Sequence, residues 1–232
     1  MRVAIMQPYF LPYIGYFQLI AAVDLFIVYD NIKYTKKGWI NRNRLLRKGT
    51  DIVFTLPLKS DSDHLDVRER RLADGFNPDH LLNLFKASYR SAPFFEETSP
   101  LLQDILYFGD TNLFAFVRHS ILQTCRHLGI STEFRTSSSI AIDHGLKGQD
   151  KVLALCEAVG AETYFNPIGG MELYSKDTFR ARGIELGFIR ALPYEYEQFD
   201  EAFVPWLSIL DLMMFNSLDK FGTHLLTNYE LI

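Results

Sequence analysis

Cysteine is scarce in this chain: Cys125 and Cys156 are the only two among 232 residues. Two thiols cannot build a disulfide framework, and nothing in the sequence points to secretion. Both are expected to be reduced, in a cytoplasmic protein. Long uncharged apolar runs are missing too, since no segment reaches the roughly 18 residues that a membrane span needs. The N-terminus carries Arg2 and apolar residues, but Gln7, Pro8 and Pro12 interrupt it. No small-residue cleavage site follows cleanly, which argues against a signal peptide. Positive charge is not in excess: the net charge is -4, so nucleic acid is not an expected partner. The glycine fingerprint of dinucleotide-binding folds and the P-loop are both absent, which excludes an NAD site and a Walker-type ATP site of the usual kind. His64, His119, His127 and His224 share no ligand spacing with one another or with cysteine, so no metal site is expected.

What is present is an ordinary supply of core-forming residues. Hydrophobic residues make up 48% and charged residues 22%, enough for one domain over residues 1–232 without staples. The 19 Phe and 12 Tyr are expected mostly in the core. The apolar run at 3–6 reads as a buried strand, 15–23 as a helix and 25–29 as a second strand ending at Asp30. Strand, turn, helix and strand within thirty residues is the pattern of a parallel sheet. Residues 51–58 read as a strand, pairing with 32–36 or 45–48. Helices follow, from Asn77-Pro78 to about Tyr89, from Ser99-Pro100 through Leu106, and from a Thr111 or Asn112 cap over 113–128, closed by Gly129. They make a helical middle over about 77–129. A strand at 132–136, a helix at 150–159, a strand at 163–165, a loop at 166–170, a helix at 175–182 and a strand at 184–189 form a second βαβαβ run. An aromatic and acidic segment begins at Tyr194, and another helix starts near Ser208. The fold class expected is α/β, with a mainly parallel Rossmann-like sheet and a helical middle region.

The N-terminal QPYFLPYIGYF (7–17) places Gln7 just after a strand, at the edge where open α/β sheets bind ligands. A basic segment over 33–48 holds Lys33, Lys36, Lys37, Arg42, Arg44, Arg47 and Lys48 with no acid among them, and Trp39, Asn41 and Asn43 lie between. Such a segment is either a solvated basic hairpin or a grip for phosphate, with Arg42 and Lys36 as donors and Trp39 as a stacking face. Asn166, Gly169 and Gly170 follow a strand and precede a helix; the loop is either a plain turn or a cradle where backbone N–H groups hold an anion.

These motifs, with Asp24 and Asp30, KYTKKGWINRN (33–43), His80 with YRSAPFF (89–95), GAETYFNPIGG (160–170) and FVPWLSILDLMMFN (203–216), resemble the WbqC-like family. That family is found among bacterial surface-polysaccharide (O-antigen, lipopolysaccharide) gene products. The resemblance spans nearly the whole chain. Many members begin the first motif with His-Gln-Pro; Met6 stands in that His position here, so no role for it carries over. The resemblance adds Pro8, Tyr9 and Tyr34 to the binding residues.

The function expected from this context is a transferase that attaches an acyl or aminoacyl group to the amine of a nucleotide-linked amino sugar. Coenzyme A or a phosphopantetheine thioester would be the co-substrate, and an acyl or peptidyl carrier protein a candidate partner; no tightly bound cofactor is expected. His80 is the first choice of general base, with capping or core packing as its plain alternative, and His144 is the second. Gln7 and Asn41 would orient the acceptor or donate to an oxyanion; Gln7 could instead satisfy the Pro8–Pro12 turn. Cys156 reads as a buried apolar residue, with a nucleophile as its less favoured reading. Two rival classes remain: a non-catalytic protein that binds a nucleotide-sugar or carrier, and a Rossmann-like nucleotidyl-transfer enzyme.

Overall fold

A computed structural model describes every residue except Asp63, Asp200 and Glu201. The last two belong to the acidic segment and lie outside the described residues. Strand β1 (Arg2–Met6) buries Val3, Ala4 and Ile5, on both faces of the sheet. Strand β2 (Leu25–Val28) buries all four of its residues. Burial on both faces is the condition of a central parallel strand, and it explains why these runs are continuously apolar instead of alternating.

The remaining elements are β3 (Arg42–Arg47), β4 (Thr50–Thr55), α2 (Pro78–Tyr89), α3 (Phe95–Leu106), α4 (Leu113–His127), β5 (Glu133–Thr136), α5 (Gly148–Ala158), β6 (Thr163–Pro167), α6 (Lys176–Arg180), β7 (Glu185–Ala191), α7 (Ile209–Phe215), α8 (Leu218–Thr223) and β8 (Tyr229–Leu231), with α1 (Ile14–Ala21) between β1 and β2. One six-stranded sheet has the order β5-β2-β1-β6-β7-β8. All its pairings are parallel except β7 with β8. From β1 the chain winds outward through β2 to β5. It then returns past β1 to β6 and winds the other way to β7. The direction reverses between β1 and β6, and a crevice at such a reversal is where open α/β sheets take ligands.

Alternate residues serve two cores. Ala4, Phe26 and Val28 pack under α1, the helical middle and α7. Val3, Ile5, Leu25 and Ile27 pack under α5 and α6, with Cys156 and Phe179. Each fully buried Phe or Leu stabilises the fold by roughly 1.5–3 kcal/mol.

Several boundaries differ from the sequence reading. Helix α3 begins at Phe95, four residues before Ser99, and Pro100 lies inside it. Pro100 falls in the second turn, past the free N–H groups of the helix start, so it removes the donor that the Glu96 carbonyl would otherwise have there. Strand β6 runs on to Pro167, so Asn166 is a strand residue, and a 3-10 turn over Ile168–Leu173 replaces the loop. Helix α6 is short, Lys176–Arg180. The β3–β4 hairpin forms its own two-stranded sheet. Strand β8 and helix α8 were not foreseen, because each is short and carries no strong period.

Candidate functional site

Because β1, β2, β5, β6 and β7 are parallel, the segments after them all emerge at one edge, the carboxyl edge. Gln7 follows β1 there, and Asn166 is the last residue but one of the neighbouring β6. The half-buried Gln7 accepts from the Tyr9 hydroxyl at 3.2 Å through Oε1, while its main-chain oxygen accepts from Tyr16 at 2.8 Å. Its Nε2 has no intramolecular partner among the described residues. Buried Pro8 leads into a turn whose Leu11 is left-handed, with φ 45°. A bulky residue seldom adopts that conformation. The Asn43 Nδ2 group and the Ser208 hydroxyl hold it in place, donating to the Leu11 carbonyl at 2.8 and 2.7 Å.

Asn166 is 5% exposed and donates through Nδ2 to the Tyr164 hydroxyl at 2.7 Å. Gly170 is a necessity of this packing: a Cβ there would overlap Asn166 Oδ1. Gly169 faces open space. Gln7, Asn166, Gly169 and Gly170 thus stand at the same carboxyl edge, beside the β1/β6 reversal.

Beside that reversal, at the ends of β2 and β5, lies a polar cluster that the sequence reading named only in parts. Asp30 is 3% exposed. Its Oδ1 accepts from the Ser137 hydroxyl at 2.8 Å and the Ser138 main-chain N–H at 2.9 Å, and its Oδ2 accepts from the Ser138 hydroxyl at 2.6 Å. Arg68 lies 4.0 Å from the same carboxylate. The Lys151 ammonium, on α5, donates to the Asn31 carbonyl at 3.3 Å and sits 5.1 Å from the Tyr29 ring centre. Burial lowers its pKa, against the pull of Asp66 and Asp30. Burial also pushes the Tyr29 hydroxyl up to about 12. The exposed His144 completes the cluster: its Nδ1 lies 2.9 Å from Asn31 Nδ2.

The Ser137 hydroxyl decides what His144 can do. It has one proton, yet two acceptors face it, Asp30 Oδ1 at 2.8 Å and Asn31 Oδ1 at 2.7 Å. The Asp30 carboxylate is the stronger acceptor. Turning the Asn31 amide over satisfies every group: Nδ2 donates to Ser137, and Oδ1 accepts from His144 Nδ1–H. The His144 Nε2 lone pair is then free to take a proton.

Part of the basic segment is engaged with itself. Arg42 donates to the Gly38 and Lys37 carbonyls at 3.0 and 2.6 Å and lies 5.4 Å from the centre of the Trp39 ring. Trp39 is 42% exposed, and Lys36 is exposed. Asn41 is buried, accepting from the Tyr34 hydroxyl at 2.9 Å and donating to the Leu56 carbonyl at 2.8 Å. It pegs the loop to the hairpin. Lys33 and Arg68 stand nearer the polar cluster, because residue 33 bridges to Asp66 and the Arg68 N–H donates to the Asp30 carbonyl.

His80 is exposed on the first turn of α2, where its main-chain N–H donates to the Asn77 carbonyl. Its ring has no hydrogen bond to Gln7, Asn41 or Asn166. Cys156 is fully buried, and burial pushes its thiol up to about 12. Among the described residues, no three His, Cys, Asp or Glu side chains are grouped to hold a metal ion. Likewise, no described helix is long and apolar enough to cross a membrane.

The missed signal was local in sequence but not in meaning. Asp30-Asn31 and Ser137-Ser138 are unremarkable dipeptides until β2 and β5 pair. Both then stand at adjacent strand ends.

An uncharacterized protein of Mycobacterium tuberculosis, Rv1507c, is 32% identical over 217 residues, covering 91% of this chain and 92% of the mycobacterial one. No solved structure matches. The model of the WbqC-like protein family matches residues 7–222, from the Gln7 turn through α7 and into α8. The chain belongs to the WbqC-like protein family.

Proposed function

We propose that the protein is a transferase that joins an acyl or aminoacyl group, supplied as a thioester, to the amine of a nucleotide-linked amino sugar in surface-polysaccharide assembly. The observation that carries the reading is the Asp30–Ser137–Asn31–His144 chain, which presents an oriented imidazole beside the β1/β6 reversal. In this reading the base is His144 rather than His80. His144 Nε2 takes the proton as the amine nitrogen attacks the thioester carbonyl and the C–N bond forms. The tetrahedral oxyanion then collapses, the C–S bond breaks, and the thiolate leaves with the proton that His144 returns. Gln7 Nε2 is the donor placed to orient the acceptor or meet the oxyanion. Arg68 and Lys33 flank the cluster and supply the positive charge that a diphosphate needs.

The test is intact-mass analysis of reactions containing amino-sugar nucleotides and coenzyme A thioesters. A mass gain of one acyl group on the nucleotide, lost by a hundredfold or more in His144→Ala and kept within about twofold in His80→Ala, is the expected result; general base catalysis contributes about 10²–10⁴. Tight nucleotide-sugar binding with no product from any thioester would reassign the protein as a binder.

A further inference from the structure

A cavity opens at the same carboxyl edge, beyond the end of β7. It measures about 290 Å³ and is bounded by α1, the segment after β7 and the approach to α7. Its walls are aromatic. Tyr13 and Trp206 meet edge to face at 6.1 Å, and Tyr194 and Tyr196 lie stacked at 5.8 Å. Among the described residues no lysine or arginine lines it, and Glu195 is the acid on its wall. Phosphate is therefore not what this cleft is built to hold.

One polar group in the wall is left incomplete. Gln18 is 1% exposed, and its Nε2 donates to the Leu225 and Asn228 carbonyls at 2.8 and 3.0 Å. Those two acceptors fix the amide orientation. Its Oε1 is buried and has no hydrogen-bond partner. An unpaired buried acceptor costs roughly 1–3 kcal/mol. The wall thus holds one acceptor without a donor, beside flat aromatic faces.

We propose that this cleft is a nucleoside subsite, in which a nucleobase stacks on the aromatic walls and donates an N–H to Gln18 Oε1. A uracil imide or an exocyclic base amine supplies that donor. Trp206 is held for the purpose: its backbone is left-handed, with φ 61°, and the Arg44 guanidinium donates to its carbonyl at 2.8 Å. From β7 to β2 there are three strand spacings, roughly 14 Å. A base in the cleft thus leaves its diphosphate running along the edge, with the sugar reaching the Asp30–His144 cluster. The choice of a nucleotide rests on the transferase reading; the aromatic walls and the unpaired acceptor do not.

Calorimetric titration of the full chain tests it, with uridine diphosphate and adenosine diphosphate as probes and with inorganic pyrophosphate and tetramethylammonium as controls. Saturable binding of at least one nucleoside diphosphate is expected, and pyrophosphate alone should not reproduce it. Trp206→Ala, at a position 62% exposed, and Tyr194→Ala should each weaken binding tenfold or more with the melting temperature of Trp206→Ala nearly unchanged. Arg2→Ala, at the opposite edge of the sheet, should bind as the parent does. No saturable nucleotide binding at millimolar concentration would overturn the inference, as would affinity unaltered in both variants. Tetramethylammonium binding without nucleotide binding would assign the cleft to an ammonium ligand instead. Turnover that needs His144 but ignores Trp206 and Tyr194 would sink this inference and spare the transferase; binding without turnover would do the reverse.

Discussion

The two edges of the sheet carry polar groups in opposite ways. At the amino edge the charges are exposed and satisfy one another. The N-terminal ammonium pairs with Glu162 at 2.5 Å, and Arg2 pairs with Asp24 at 2.6 Å. Hydrogen bonds from Arg2 hold the Asp24 carboxyl down at about 2. At the carboxyl edge the polar groups are buried, as Asp30, Asn31, Ser137, Lys151 and Asn166 are. Burying a polar group costs free energy unless it is bonded, so a protein concentrates them where the chain must present chemistry. The amino edge pairs its charges in water; the carboxyl edge buries donors and acceptors, with an aromatic cavity beside them.

The largest effect that could break this contrast is Asp30→Ala. It removes a carboxylate that accepts three hydrogen bonds and strands the Ser137 and Ser138 donors. A loss of about 3 kcal/mol in denaturant unfolding is expected, with the Asn31–His144 alignment and any turnover lost too. Asp30→Ala as stable as the parent would mean that the cluster is ornamental.

Cys156→Ser should cost about 1–3 kcal/mol, because it buries a hydroxyl in an apolar core, and should leave ligand affinity unaltered. Its thiol, at about 12, should resist iodoacetamide at neutral pH and react faster only as the pH rises. Rapid stoichiometric labelling at neutral pH would return Cys156 to the list of nucleophiles.

Asp211 sharpens the contrast from a third place, behind the aromatic cleft. Tyr89, Tyr196 and Gln198 donate to its buried carboxyl at 2.8, 2.5 and 2.7 Å. Burial outweighs those bonds and raises its pKa. A carboxyl raised in the folded state adds stability that is complete below its unfolded pKa and is lost as pH rises through the folded value. Asp211→Asn should flatten that part of the curve of melting temperature against pH; identical curves for parent and variant would contradict the assignment.

Arg2→Ala should have the smallest effect, under about 1 kcal/mol in unfolding and none on turnover, since exposed ion pairs contribute little.

Much of this was legible in the sequence. The apolar runs of β1, β2 and β7 and the capped helices α2 and α4 declare themselves, because their period and caps are local. Gln7 and the 166–170 segment were placed at one edge from strand direction alone, and the structure sets them there. Asn41 and Arg42 stood out as ligand contacts, and in the structure they also donate within the chain, to the Leu56, Gly38 and Lys37 carbonyls. A polar side chain that ties one loop to another looks, in sequence, the same as one that ties a ligand. The His144 cluster was hidden because its members come from segments more than a hundred residues apart, joined only by the pairing of β2 with β5. Gln18 was hidden for a related reason: its partners, Leu225 and Asn228, lie near the other end of the chain.

The central claim is that ligand binds at the carboxyl edge. Hydrogen exchange of the full chain, followed by mass spectrometry with and without an amino-sugar nucleotide, tests it most directly. Protection is expected in peptides covering 7–13, 29–34, 137–147 and 168–174, together with 192–208 if the cleft holds the base. Protection confined to the amino-edge peptides around Asp24, Ser131 and Glu162, with the carboxyl-edge peptides exchanging as before, would contradict the account.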